Sequence, residues 1–180
     1  LFSIDAATGA VTLVGNPDYE TQSSYTFTVV ATDAAGHSTE QTVALDVNNL
    51  DEVAPTITSG DIATAIDENV AAGKVVYTVT STDTADISGG VSYSLKAGVG
   101  DAALFSINAS TGKVALIGSP DHEIQASYSF TVVVTDLAGN KSEQTVALAV
   151  NDLDEVAPTI TSSAVATAID ENSGAGQVVY

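Results

Sequence analysis

Two adjacent acids stand before a proline twice in this chain, in NNLDEVAPTIT from Asn48 and in NDLDEVAPTIT from Asn151. Other acids recur in fixed company. Asp18 and Glu20 lie in PDYE, Asp121 and Glu123 in PDHE, Glu68 in IDEN, Asp33 and Asp136 in TDxAG, and Asp83 and Asp86 in TDTAD. Oxygen is the only ligand atom that recurs. Carboxylates and amides, with no Cys and no repeated His, suit a hard dication such as calcium rather than zinc or copper. Paired acids could also hydrolyse a glycoside, but catalytic pairs face each other across a cleft with their pKa values pushed apart. Two acids on one short segment amid further acids fit a cation cage better. His37 and His122 are replaced by Asn140 and Tyr19 at the matching positions, so both are read as surface residues and a catalytic triad has no support. The chain is read as a non-enzyme.

Charge balance sharpens the need for a cation. The formal charge is -19 over 180 residues, and Lys74, Lys96, Lys113 and Lys141 are the only basic side chains besides histidine. Two like charges about 4 Å apart repel by roughly 1 kcal/mol in water and about 4 kcal/mol at an effective dielectric of 20. A dication turns that repulsion into coordination. Such a surface repels phosphate backbones and anionic lipids, which argues against nucleic acid and against direct membrane contact. With 44% hydrophobic residues the chain can still bury a core, unlike a disordered polyanion. No apolar run approaches the ~18 residues that span a bilayer. Neither an initiating Met nor a signal peptide is present, and the chain is read as a piece of something longer. Without Cys it has no disulfides, and metal is the usual substitute staple in a secreted domain.

Placing these acids requires a repeated scaffold. Residues 1–77 match residues 104–180 at a constant offset of 103, with 54 identities in 77 positions. That period is a domain, not a solenoid turn. It divides the chain into the second half of one unit (1–55), a complete unit (56–158) and the opening strands of a third (159–180). Within the unit every signal is β. TFTVVATD and SFTVVVTD alternate, placing Phe27 with Val29 and Phe130 with Val132 on one face, and EQTVALDV and EQTVALAV alternate likewise. KVVYTVTSTD and VSYSLKA read as further strands. Gly9, Gly112, Gly36 and Gly139 occupy turns that need positive φ. About seven short strands per 100 residues predict an all-β, antiparallel Greek-key β-sandwich, repeated in tandem. The acids then sit at strand ends, which gather at the two poles of a sandwich. Asp18 and Glu20 are expected on an extended segment, pointing the same way.

These motifs, in this order, resemble the cadherin repeat, and more closely the cadherin-like repeats of very large bacterial (RTX-type) surface adhesins. Glu68 in IDEN matches the family's xEN glutamate. Asp18/Glu20 and Asp121/Glu123 match its DRE-type motif, Asp33 and Asp136 its Asp before a Gly turn, and Asn48–Pro55 and Asn151–Pro158 approximate its acidic linker. The resemblance implies calcium between consecutive domains. Its first junction would draw on Asp18, Glu20, Asn48, Asp51, Glu52, Asp83, Asp86 and Asp136, with the Leu50 carbonyl in reach. Its second would draw on Glu68, Asp121, Glu123, Asn151, Asp154 and Glu155. Leu50 and Leu153 replace a linker Asn of the family, one extra residue precedes the proline, and Asp83 and Asp86 are three apart rather than two. Fewer or weaker ions per junction would follow.

The function so implied is that of an extracellular spacer on the bacterial cell surface, rigidified by calcium and supporting adhesion or biofilm formation. Its partners would be the neighbouring repeats of its own chain. One alternative is a homophilic or carbohydrate-binding module. A polysaccharide would want exposed aromatics, and Tyr19, Tyr25 and Tyr93 are the candidates. Self-association by strand exchange is a further expectation, since 159–180 carries strands that 1–55 lacks.

Overall fold

The computed structural model describes residues 1–84 and 89–180. Among the described residues thirteen strands run in chain order: β1 Phe2–Ile4, β2 Val11–Leu13, β3 Ser24–Thr32, β4 Ser38–Asp46, β5 Thr56–Ile57, β6 Ile66–Asp67, β7 Val75–Thr78, β8 Ser81–Thr82, β9 Val91–Leu95, β10 Phe105–Ile107, β11 Lys113–Leu116, β12 Ser127–Asp136 and β13 Lys141–Asn151. A single 3₁₀ turn at Ala102–Leu104 is the only helical element among the described residues. The chain is all-β, as its alternating Val, Thr and aromatic residues demand.

A sandwich forms between Thr56 and Asn151. One sheet has the order β10-β11-β7, the other β6-β13-β12-β9, and β5 pairs with β8 alongside. The β12–β13 hairpin is its spine, in register from Ser127↔Ala149 to Thr135↔Lys141. Its turn is closed by Asp136, whose Oδ1 accepts the Gly139 and Asn140 N–H groups at 2.6 and 2.8 Å. Gly139 has φ 102°, open only to a residue without Cβ. Between the sheets Phe105, Val114 and Leu116 meet Phe130, Val132, Val134, Val146 and Leu148, all buried. Phe105 lies 4.6 Å from the Phe130 ring and edge-on to Tyr128 at 5.8 Å.

The expected purely antiparallel pairing has one exception. β6 runs parallel to β13, with Val150↔Ile66 and Asn151↔Asp67 in register, and Ile62 bridges Ala147 in the same sense. The second strand of the unit, β6, and its last, β13, therefore point the same way. The chain enters at one pole and leaves at the other, as a head-to-tail array requires. The same pairing sets Glu68, just past β6, beside the linker that follows β13.

The preceding half-unit repeats the hairpins of the complete one. Phe2↔Leu13 in β1–β2 reproduces Phe105↔Leu116, and Phe27↔Val43 in β3–β4 reproduces Phe130↔Val146. Phe2 again packs on Phe27 and Tyr25, at 4.7 and 5.8 Å. Yet each pair remains a two-stranded sheet. Leu45 is 39% exposed where its counterpart Leu148 is fully buried.

Three expectations need correction. Residues 159–180 form no strand and are exposed, although Ala166–Asn172 repeats the residues that make β6. β6 exists because β13 is there to pair with it, and 166–172 has no such partner. KVVYTVTSTD is not one strand; it breaks between β7 and β8, where Val79 turns into the core and its N–H bonds the Gly112 carbonyl at 2.9 Å. Finally, PDYE and PDHE are not extended. Each Asp starts a turn whose i+4 N–H returns to it: Gln22 to the Asp18 carbonyl and Gln125 to the Asp121 carbonyl, both at 2.9 Å. The short Asp side chain caps its own turn.

Candidate metal centre

Three clusters of metal-ligating side chains form at the poles of the complete unit: Asp51 with Asp83 and Asp136, Glu68 with Asp121 and Glu123, and His122 with Glu123 and Asp152. In each cluster one ligand atom per residue lies within 4.8 Å of the others. Calcium binds oxygen at 2.3–2.6 Å, so two ligands of one ion are at most about 5 Å apart. Each triad can therefore close on a single ion.

The first linker feeds two groups. Asp51 turns toward the following unit and joins Asp83, just after β8, and Asp136, the last residue of β12. Glu52 instead lines a recess with Asp18, Glu20, Leu50 and Thr84. Consecutive side chains of an extended linker point to opposite sides, so adjacent acids serve different neighbours. Asn140 ties linker to unit: its Nδ2 donates to the Asp51 carbonyl and to Asp136 Oδ2, both at 2.9 Å. Burial alone would raise the Asp136 carboxyl. Hydrogen bonds from the Asn140 side chain and from the Asn140 and Gly139 N–H groups outweigh it and hold the carboxyl below its usual range. Asn48 is exposed at the head of this linker. Asp86 lies outside the described residues.

At the second linker Glu68 is the organising residue. It is 2% exposed. Its Oε2 accepts the His122 N–H and its Oε1 the Leu153 N–H, each at 2.7 Å. These two bonds, His122 first, depress its carboxyl and keep it charged. Glu123 is pulled the other way. A backbone hydrogen bond at Glu123 lowers it, but burial and the charges of Glu68, Asp152 and Glu155 prevail and raise it. Asn151 donates to Asp67 Oδ1 at 2.9 Å, and Asn69 donates to Glu155. Asp154 caps its own linker turn by accepting the Val156 N–H at 3.1 Å, as Asp51 accepts that of Val53.

Buried carboxylates need a positive partner. Among the described residues, the lysine–carboxylate ion pair joins Lys96 to Glu143, which is remote from both linkers. The donor set is thus oxygen-rich and anionic, and among the described residues no lysine forms an ion pair with it, which fits a hard dication.

Residues 1–48 and 62–151 match the model of the cadherin domain. The chain belongs to the cadherin-domain family. Cadherin domains are calcium-dependent adhesion modules of cell-surface proteins, and the all-β sandwich agrees with that membership. Among curated relatives, this cadherin chain is 29% identical over 183 residues to Protocadherin Fat 4 of Mus musculus, covering 99% of the chain and 4% of that protein. It is 30% identical over 180 residues to Protocadherin Fat 1 of Homo sapiens, covering 97% of the chain and 4% of that protein. The chain therefore spans a small part of these relatives. Among solved structures, human Protocadherin-24 EC1-2 aligns with TM-score 0.58 and 26% identity, covering 84% of this chain and 76% of that one. Mouse Cadherin-23 EC22-24 aligns with TM-score 0.54 and 26% identity, over 86% of this chain and 51% of that one. These relatives are animal proteins.

Two residues at the cadherin pole escaped the sequence reading. Asp152 was passed over because its repeat partner is Asn49; the clue was that both carry a ligand oxygen. His122, expected like His37 at the surface, has a side chain 30% exposed against 83% for His37, and it faces Glu123 and Asp152. Of the three aromatics named for sugar, Tyr19 is exposed, and the other two are engaged in packing. Tyr93 lies against the core with its hydroxyl 3.1 Å from Ser81 Oγ, and Tyr25 meets Phe2. Among the described residues, no helix is long and apolar enough to cross a membrane.

Proposed function

We propose that this chain is a spacer segment of a large extracellular adhesin of the bacterial surface, made of cadherin repeats at 1–55, 56–158 and 159–180 and stiffened by calcium at each linker. The observation that carries the reading is the convergence of Asp51, Asp83 and Asp136, from a linker and two strand ends, within reach of one ion. The proposed ligands are Asp18, Glu20, Asn48, Asp51, Glu52, Asp83, Asp86 and Asp136 at the first junction, and Glu68, Asp121, Glu123, Asn151, Asp152, Asp154 and Glu155 at the second.

The mechanical consequence is direct. Without metal, like charges at a short linker push neighbouring sandwiches apart and the linker acts as a hinge. With metal, carboxylates from linker and unit share ions and the hinge stiffens. Strands of 10 and 11 residues, β12 and β13, make each sandwich long, so an array of them forms a rod. The two copies agree at 54 of 77 positions, far more than the 29% shared with Fat 4. Near-identical neighbours repeat most of the linker acids at each junction, which suits an extender supporting cell adhesion or biofilm. Extracellular calcium modules bind at about 10⁻⁴–10⁻³ M, matched to a calcium-rich medium.

The test is a thermal melt and small-angle scattering of the chain in millimolar calcium and in chelator. Calcium should raise Tm and lengthen the particle, and Asp136→Ala should remove most of both effects. Identical melts and identical scattering in the two conditions would sink the reading.

A further inference from the structure

The two linkers are not equivalent in the metal they can take. Glu20 and Glu123 are the same residue in the two copies, but Tyr19 becomes His122 and Asn49 becomes Asp152. Both changes add a stronger ligand, and the structure brings the two new groups together. His122 Nδ1 lies 3.9 Å from Asp152 Oδ2 and 3.9 Å from Glu123 Oε1.

We propose that His122, Asp152 and Glu123 form a site for a borderline divalent transition metal, of which zinc is the representative, at the second linker only. The inference rests on the reading of the linker acids as metal ligands and assigns a different ion to one subset of them.

Three observations support it. Imidazole nitrogen favours zinc and its neighbours over calcium, which takes oxygen. Zinc binds nitrogen and oxygen at about 2.0–2.2 Å in tetrahedral geometry, so its ligand atoms lie about 3.4 Å apart. The 3.9 Å separations are within about 0.5 Å of that spacing, which a small side-chain rotation covers. The ligands are also held in place from behind. Glu68, 2% exposed, accepts the backbone N–H of His122 with one oxygen and that of Leu153, next to Asp152, with the other. It thereby clamps together the turn and the linker that carry the ligands. At the first linker the same positions offer a phenol, an amide and one carboxylate, a poor set for zinc. Three protein ligands leave the remaining coordination to water.

The experiment uses the untagged chain, stripped with chelator and then titrated with zinc chloride by calorimetry in millimolar calcium. Binding of cobalt(II), followed by its visible absorption, reports nitrogen ligation directly. The wild type should show one site, and His122→Tyr, which installs the residue of the first copy, should weaken it by on the order of tenfold or more. His37→Asn, the matching exchange at the other histidine, should leave it unchanged. The calcium-dependent rise in Tm should survive in His122→Tyr, which shows that the variant folds. Absence of a zinc site, or zinc binding equal in His122→Tyr and wild type, overturns the proposal. Zinc binding that requires His122 in a chain whose Tm ignores calcium would keep this inference and discard the calcium spacer.

Discussion

Glu68 Oε1 accepts the backbone N–H of Leu153 at 2.7 Å, although the two residues are 85 positions apart. The contact joins the end of β6 to the linker that leaves the unit. It exists because β6 and β13 run parallel and end at the same pole. One buried carboxylate thereby holds the exit linker and, through His122, the PDHE turn.

Glu68 should therefore respond to pH in a defined sense. Its carboxyl is depressed from an ordinary value of 4.5, chiefly by the His122 and Leu153 N–H groups. A depressed acid stabilises the fold fully above its unfolded pKa, and that contribution is lost as pH falls through its folded pKa. In chelator, Glu68→Gln should lower Tm by roughly 5–10 °C near neutrality, the shift of a lost buried acceptor in a domain of this size. The gap between variant and wild type should narrow as pH falls below 4.5. A gap that stays constant down to the acid limit contradicts the assignment.

The repeated leucine of QTVAL offers a paired test of packing. Leu148 is fully buried between the sheets and Leu45 is 39% exposed. Leu148→Ala should cost about 2–5 kcal/mol, the range for an emptied core site. Leu45→Ala should cost less than about 1 kcal/mol, since much of its surface already meets water. Urea denaturation of both variants measures the difference, and equal midpoints would refute it.

Gly112 and Gly9 give the same kind of comparison for backbone. Both have positive φ, 67° and 72°. A Cβ on Gly112 would lie 2.5 Å from the Val79 carbonyl oxygen, whereas one on Gly9 would meet nothing within 4 Å. Gly9→Ala should cost about 1 kcal/mol of backbone strain. Gly112→Ala should cost at least about twice that, because the Val79 backbone carbonyl must also move. Comparable losses at the two sites, measured by denaturation, would show that the contact with Val79 is not limiting.

Asp51 and Asp154 occupy the same place in the two linkers and cap the same local turn, but only Asp51 belongs to a carboxylate triad. Asp51→Asn should therefore remove more of the calcium-dependent Tm gain than Asp154→Asn, by roughly 1.5–3 kcal/mol, the value of a tenfold to hundredfold loss in affinity. Calcium titrations of the two variants decide it. Equal losses would mean that the triad at Asp136 is not where the ion acts.

Much of this was legible from residues alone. The 103-residue period, the alternation in TFTVV and SFTVV, and the glycines at 9, 36, 112 and 139 depend on local chemistry. They are visible wherever the chain is read. Most of the acids that cluster at the poles could be picked out as well, because they recur in register. What failed was local geometry inferred from spacing. PDYE and PDHE look extended, but each Asp uses its own oxygen to close a turn. Asp152 and His122 differ between the copies, as Asn49 and Tyr19, so recurrence does not single them out.

The sequence by itself determined the β class, the 103-residue repeat and the supply of side-chain oxygens, because periodicity and composition are properties of neighbouring residues. Only the tertiary structure decided which acids meet. The parallel β6–β13 pair places Glu68 at the exit linker, and the ends of β8 and β12 set Asp83 and Asp136 around Asp51. It also decided that Ile66–Asp67 becomes a strand while the identical Ile169–Asp170 does not. A strand end has no partner until distant segments pair, so the groups that can share an ion are chosen by the sheet and not by the spacing.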